Sequence, residues 1–114
     1  MARQKILIHL SDRDKWRLVV KQAARLVERE GDAGLQITII ADIFAAGVCI
    51  ACDRLLREEI QELSQKGFSI LACEDSLRFL NLKPENLPEF IQCVPNGLRA
   101  ILDLEDQGYH YIKA

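Results

Sequence analysis

Short apolar runs alternate along this chain with stretches whose apolar residues recur every three or four positions. That alternation constrains the fold more than any other feature. Lys5 to Leu10 (KILIHL), Leu35 to Ala41 (LQITIIA), Phe68 to Cys73 (FSILAC) and Phe90 to Val94 (FIQCV) read as strands, and Tyr109 to Ile112 as a short fifth. The first is expected to be buried on both faces.

The intervening stretches read as helices. Trp16, Val19, Val20, Ala23 and Val27 mark one inward face, opened by Ser11-Asp12-Arg13-Asp14 and ended by Gly31-Asp32-Ala33-Gly34. Asp53 to Lys66 predicts a second helix, with Leu56, Ile60 and Leu63 inward, Glu62 and Lys66 paired outside, and Gly67 closing it. Ser76 to Leu80 begins a short helix, and Lys83-Pro84-Glu85-Asn86 is a turn or a fresh start. After Pro95-Asn96-Gly97, the residues Leu98, Ile101, Leu102 and Glu105 trace a last helix that Gly108 ends. Strand and helix in strict alternation, joined by short connections, predict an α/β fold: a mostly parallel sheet of about five strands with helices on its faces.

At 114 residues the chain holds one domain, 1–114. Fifteen Lys and Arg against seventeen Asp and Glu leave a charge of −2, so no overall basic field recruits nucleic acid or anionic lipid. The longest apolar stretch, Ile37 to Cys52, is interrupted by Asp42 and falls short of the ~20 residues a membrane span needs. The apolar run near the N-terminus is too short for a secretory signal. A cytoplasmic location is therefore expected, with Cys49, Cys52, Cys73 and Cys93 reduced.

In a parallel sheet, reactive groups collect at the carboxyl ends of the strands. Those ends are His9 to Asp12, Ala41 to Ile43 (with Asp42), Cys73 to Ser76 and Val94 to Gly97. Only Cys73 puts a nucleophile at a strand tip. A helix just beyond it stabilises the thiolate through free N–H groups, whereas Glu74 and Asp75 oppose a second negative charge. Position alone leaves two readings open: a reactive thiol, or a small buried hydrophobe.

The segments Ile60-Gln61-Glu62-Leu63, Lys66-Gly67, Ala72-Cys73-Glu74-Asp75-Ser76-Leu77-Arg78, Val94-Pro95-Asn96-Gly97 and Gln107-Gly108-Tyr109-His110-Tyr111-Ile112-Lys113 resemble, in this order, the DsrE/DsrF-like family of sulfur-relay proteins. The opening KILIHLSDRDKW fits as well. The resemblance is strongest from Ile60 to Lys113. It implies a flavodoxin-like three-layer sandwich, assembly into trimers or hexamers, and a cysteine at Cys73 that carries sulfur as a persulfide. Sulfur donor and acceptor proteins or small thiols are the implied partners, with no cofactor. Asn96, Gly97 and the backbone after Cys73 are expected to supply N–H donors to the sulfur, and His9, Asp42, Glu74 and Ser76 to line the site. A non-catalytic oligomeric binding module of the same fold is the alternative.

Ile43 to Cys52 (IFAAGVCIAC) departs from the family pattern and contains a C-x-x-C at Cys49 and Cys52. Three readings compete. An apolar insertion buried in the core or against a neighbouring subunit ranks first, and a redox dithiol second. A metal site ranks last: one C-x-x-C supplies half of a zinc site, and His9 and His110 are the only histidines. No metal is expected. Cys93 and Trp16 read as structural.

Overall fold

The computed structural model describes residues 4–30 and 34–114; the expected stop at Gly31 to Ala33 lies outside them. Five strands form one all-parallel sheet: β1 (Gln4–Leu10), β2 (Leu35–Ala41), β3 (Ser69–Cys73), β4 (Gln92–Val94) and β5 (His110–Lys113), in the order β4-β3-β2-β1-β5. The β-branched runs are strands because they are buried on the pleat, and β2, paired on both sides, has only Gln36 exposed.

The helices are α1 (Trp16–Glu30), α2 (Ile43–Val48), α3 (Arg54–Gln65), α4 (Glu74–Phe79) and α5 (Gly97–Asp106). A 3-10 turn, Arg13–Lys15, leads into α1, and Asp12 caps it by accepting from Asp14 N–H. A second 3-10 turn covers Pro84–Asn86. Gly67 and Gly108, at φ 98° and 93°, close α3 and α5 in the conformation glycine adopts without strain.

Two cores of unequal size separate the faces of the sheet. On one, α1, α2 and α3 bury Trp16, Val19, Ala45, Ala46, Leu56 and Ile60 against Ile37, Ile39 and Ile70. On the other, α5 alone covers Leu7, Ile40 and Leu71 with Ile101. Trp16 is fully buried, and its indole N–H donates to the Ala45 carbonyl at 2.9 Å, a structural role.

Four expectations need correction. α4 begins directly after Cys73 and not at Ser76, so the cysteine itself becomes the N-cap. Ile43 to Val48 is a helix: Ala45, Ala46 and Val48 enter the main core as its apolar character implied, but Ile43 and Phe44 face solvent, and the helicity was not legible. The ion pair within α3 is Arg54–Glu58, not Glu62–Lys66, and Lys66 sits at the C-cap. Leu98 and Leu102 trace α5 as expected but face solvent, since α5 turns Ile101, with Ala100 and Leu104 beside it, toward the small core.

Candidate functional site around Cys73

Cys73 ends β3 and caps α4, and its side chain is 4% exposed. Two backbone N–H groups aim at its sulfur: Ser76 donates to Sγ at 3.4 Å and Gly97 at 3.2 Å. Both would otherwise be orphan donors at helix starts, one in α4 and one in α5. A neutral thiol is a weak acceptor, while a thiolate is a strong one, so this cradle fits a sulfur anion. Gly97 permits the approach. A Cβ there would stand 3.3 Å from Cys73 Cβ and 3.4 Å from Asp42 Cβ, tighter than ordinary contact.

The sulfur is not sealed in hydrocarbon. A cleft of about 410 Å³ opens beside it, lined by Asp42, Ile43, Cys73, Asp75, Ser76, Phe79, Asn96, Gly97 and Leu98. Ile43, Phe79 and Leu98 form its exposed apolar rim. Ile43 holds φ 50°, an outlier for a β-branched residue, and its N–H donates to Ser76 Oγ at 2.7 Å. The Ser76 hydroxyl holds that conformation in place.

The two acidic neighbours are tied back. Glu74 pairs with Arg78 at 3.0 Å, and Asp75 accepts from Asn96 Nδ2 at 2.9 Å. Asn96 Oδ1 also caps α5 by accepting from Arg99 N–H at 2.9 Å. Cys93 lies on β4 beside Glu74; burial and then that carboxylate push its thiol up.

Asp42 occupies the N-cap position of α2 yet makes no cap bond with its side chain. Its carboxylate turns instead to β1: His9 Nε2 lies 2.9 Å from Oδ2, and Ser11 Oγ donates to Oδ1 at 2.5 Å. His9 Nδ1 lies 2.6 Å from the Tyr111 hydroxyl, and Lys113 Nζ donates to Ser11 Oγ at 2.9 Å. Burial, followed by the Asp42 and Glu105 charges, raises the Tyr111 pKa and keeps the phenol protonated. The assignment that satisfies every group has Tyr111 O–H donating to Nδ1 and Nε2–H donating to Asp42. His9 thus sits behind Asp42, which lines the same cleft as Cys73. Ser11, Tyr111 and Lys113 were missed from sequence, because β5 had to be placed beside β1 before they could be seen to converge.

The C-x-x-C has a different setting. Cys49 is the C-cap residue of α2, buried, with Sγ donating to the Ala45 carbonyl at 3.9 Å. Burial pushes its thiol up to about 12, reinforced by Cys52. Cys52 is partly exposed, and burial followed by the Asp53 charge pushes it up too. All four cysteines are free thiols, and among the described residues no cluster of metal-ligating side chains occurs.

These features define a parallel α/β protein with a cysteine at a strand tip, cradled by two helix starts and open to a cleft. The DsrE/DsrF-like family model matches residues 43–114, and the chain belongs to that family. No curated protein matches it in sequence. Its fold is similar to that of a protein of unknown function, MTH1491, from Methanobacterium thermoautotrophicum (TM-score 0.85, 19% identity, covering 97% of this chain and 99% of the other). It is also similar to a conserved protein of unknown function, BT1422, from Bacteroides thetaiotaomicron (0.75, 20%, 97% and 95%) and to the ychN protein from E. coli (0.72, 11%, 97% and 99%). These likenesses concern the fold. Among the described residues, no helix is long and apolar enough to cross a membrane.

Proposed function

We propose that this protein is a sulfur carrier in which Cys73 holds sulfur as a persulfide. The observation that carries the reading is the pair of N–H donors, from Ser76 and Gly97, converging on a sulfur that borders a cleft. The Cys73 thiolate attacks the outer sulfur of a donor persulfide, R–S–SH. A bond forms between Sγ and that sulfur, the donor's S–S bond breaks, and its electron pair leaves on R–S⁻, which takes a proton from water. Cys73–S–SH then passes its outer sulfur to an acceptor thiolate by the same exchange, and Sγ departs as the thiolate that the cradle stabilises. No net oxidation occurs.

Sulfur donor and acceptor proteins or small thiols are the partners in this reading, and the setting is the reducing cytoplasm. Assembly into a trimer or hexamer belongs to the same proposal. It is supported by Leu102, Tyr111 and Ile112, which lie exposed on α5 and the edge strand β5. Light scattering that finds a monomer at working concentration counts against it.

Incubation with a persulfide donor, followed by intact-mass measurement and peptide mapping, is expected to add one sulfur at Cys73 and none to a Cys73→Ser variant. A folded protein that takes up no sulfur there is not a carrier. The binding-module alternative predicts, in addition, that Cys73 resists alkylation in the native state.

A further inference from the structure

The walls of the Cys73 cleft have a one-sided chemistry. Its lining includes two carboxylates, Asp42 and Asp75, and no Lys, Arg or His. The nearest basic side chains on the flanking helices are engaged elsewhere, Arg78 with Glu74 and Arg99 with Asp103. The rest of the exposed rim is apolar: Ile43, Phe79 and Leu98. Small anionic substrates are held by Arg or Lys forks; here an incoming anion meets the exposed Asp75, tied only to the Asn96 amide, while the buried Asp42 is already matched by His9 and Ser11. The two backbone N–H groups do not change this balance, because Sγ already takes both.

We propose that this cleft selects uncharged or cationic sulfur carriers with an apolar body, and turns away anionic sulfur donors such as thiosulfate or the persulfide of an acidic peptide. The proposal rests on the sulfur-carrier reading for its substrate, but the selection by charge is a property of the cleft itself.

Alkylation tests the charge selection without any sulfur transfer. The rate at Cys73 with neutral iodoacetamide is compared with that of anionic iodoacetate, by peptide mapping at low salt, and the ratio is divided by the same ratio in the unfolded chain. The Asp75 carboxylate in the cleft lining predicts a native excess of roughly fivefold. It shrinks in 1 M salt, where screening shortens to roughly 3 Å. Asp75→Asn lowers it severalfold. Leu98→Lys, at an exposed position of α5, lowers it further by speeding iodoacetate. A native ratio equal to the unfolded one, unmoved by either substitution, overturns the proposal.

Persulfides of graded charge then separate the two claims: cysteamine (cationic), a blocked cysteinyl amide and a blocked cysteinyl peptide (both neutral), and glutathione (anionic), with thiosulfate as the dianion. Loading that falls from cation through neutral to anion supports the proposal, and the small amide against the peptide tells which neutral source fits. Equal loading from all of them overturns charge selection and leaves the carrier reading intact. No loading from any, with the alkylation excess present, overturns the carrier reading and leaves charge selection standing.

Discussion

Cys73 and Cys49 are equally hidden, each 4% exposed, yet their chemistry points in opposite directions. Cys73 stands at the start of a helix, where N–H groups face it, and borders a cleft. Cys49 stands at the end of α2, where its partner is the Ala45 carbonyl, and its thiol is pushed up to about 12. A helix presents donors at one end and acceptors at the other, so the polarity of the surroundings, and not depth of burial, separates these two thiols.

The sharpest way to break that contrast is to rank the thiols by alkylation rate in the native protein near pH 8. With its thiol near 12, Cys49 is expected to react roughly a thousandfold more slowly than a cysteine in the unfolded chain. Cys73 reacts ahead of Cys49. The reverse order would end the comparison.

Alkaline stability measures the second half of the contrast. Cys49 binds its proton more tightly in the folded chain than at the ordinary thiol value of 9.0, so the stability it lends is complete below pH 9 and is lost as pH rises toward about 12. The slope is about 1.4 kcal/mol per pH unit within that window. Cys49→Ala should remove this component. Urea denaturation of both proteins at pH 8 and 10.5 gives it as the difference between their losses.

A smaller effect tests the cradle. Gly97→Ala places a Cβ against Cys73 and Asp42, displacing the N–H donor by a few tenths of an ångström. Alkylation of Cys73 should slow severalfold, while stability stays within about 1 kcal/mol of the parent, because alanine's better helix propensity offsets the crowding. Slowing at Cys52 as well would indicate a global change.

The smallest effect is on the helix that carries that donor. Asn96→Ala removes the cap of α5 and its bond to Asp75, at a cost of about 1 kcal/mol. Asp53→Ala does the same at α3, whose cap accepts from Leu56 N–H at 2.8 Å. Both should lower Tm by a few degrees, but only the first should alter Cys73 reactivity.

Much of this molecule is written in the order of its residues. Periodicity and β-branching put β2 at Leu35–Ala41 as read, and made the alternation a parallel sheet; the strand-end rule brought Cys73, Asp42, Asn96 and Gly97 together. Local signals of this kind survive because pleat and helix periods are short-range. Folding in three dimensions decided the rest. That Asp42 leaves its helix cap for His9, and that Tyr111 and Lys113 reach the same cluster, depend on β1 lying between β2 and β5, and the positive φ of Ile43 accompanies a bond to Ser76 on α4. The same holds for the fate of each thiol. A cysteine's identity is local, but the donors, carboxylates and open space around its sulfur come from residues up to 31 positions away, and only the packed sheet assembles them.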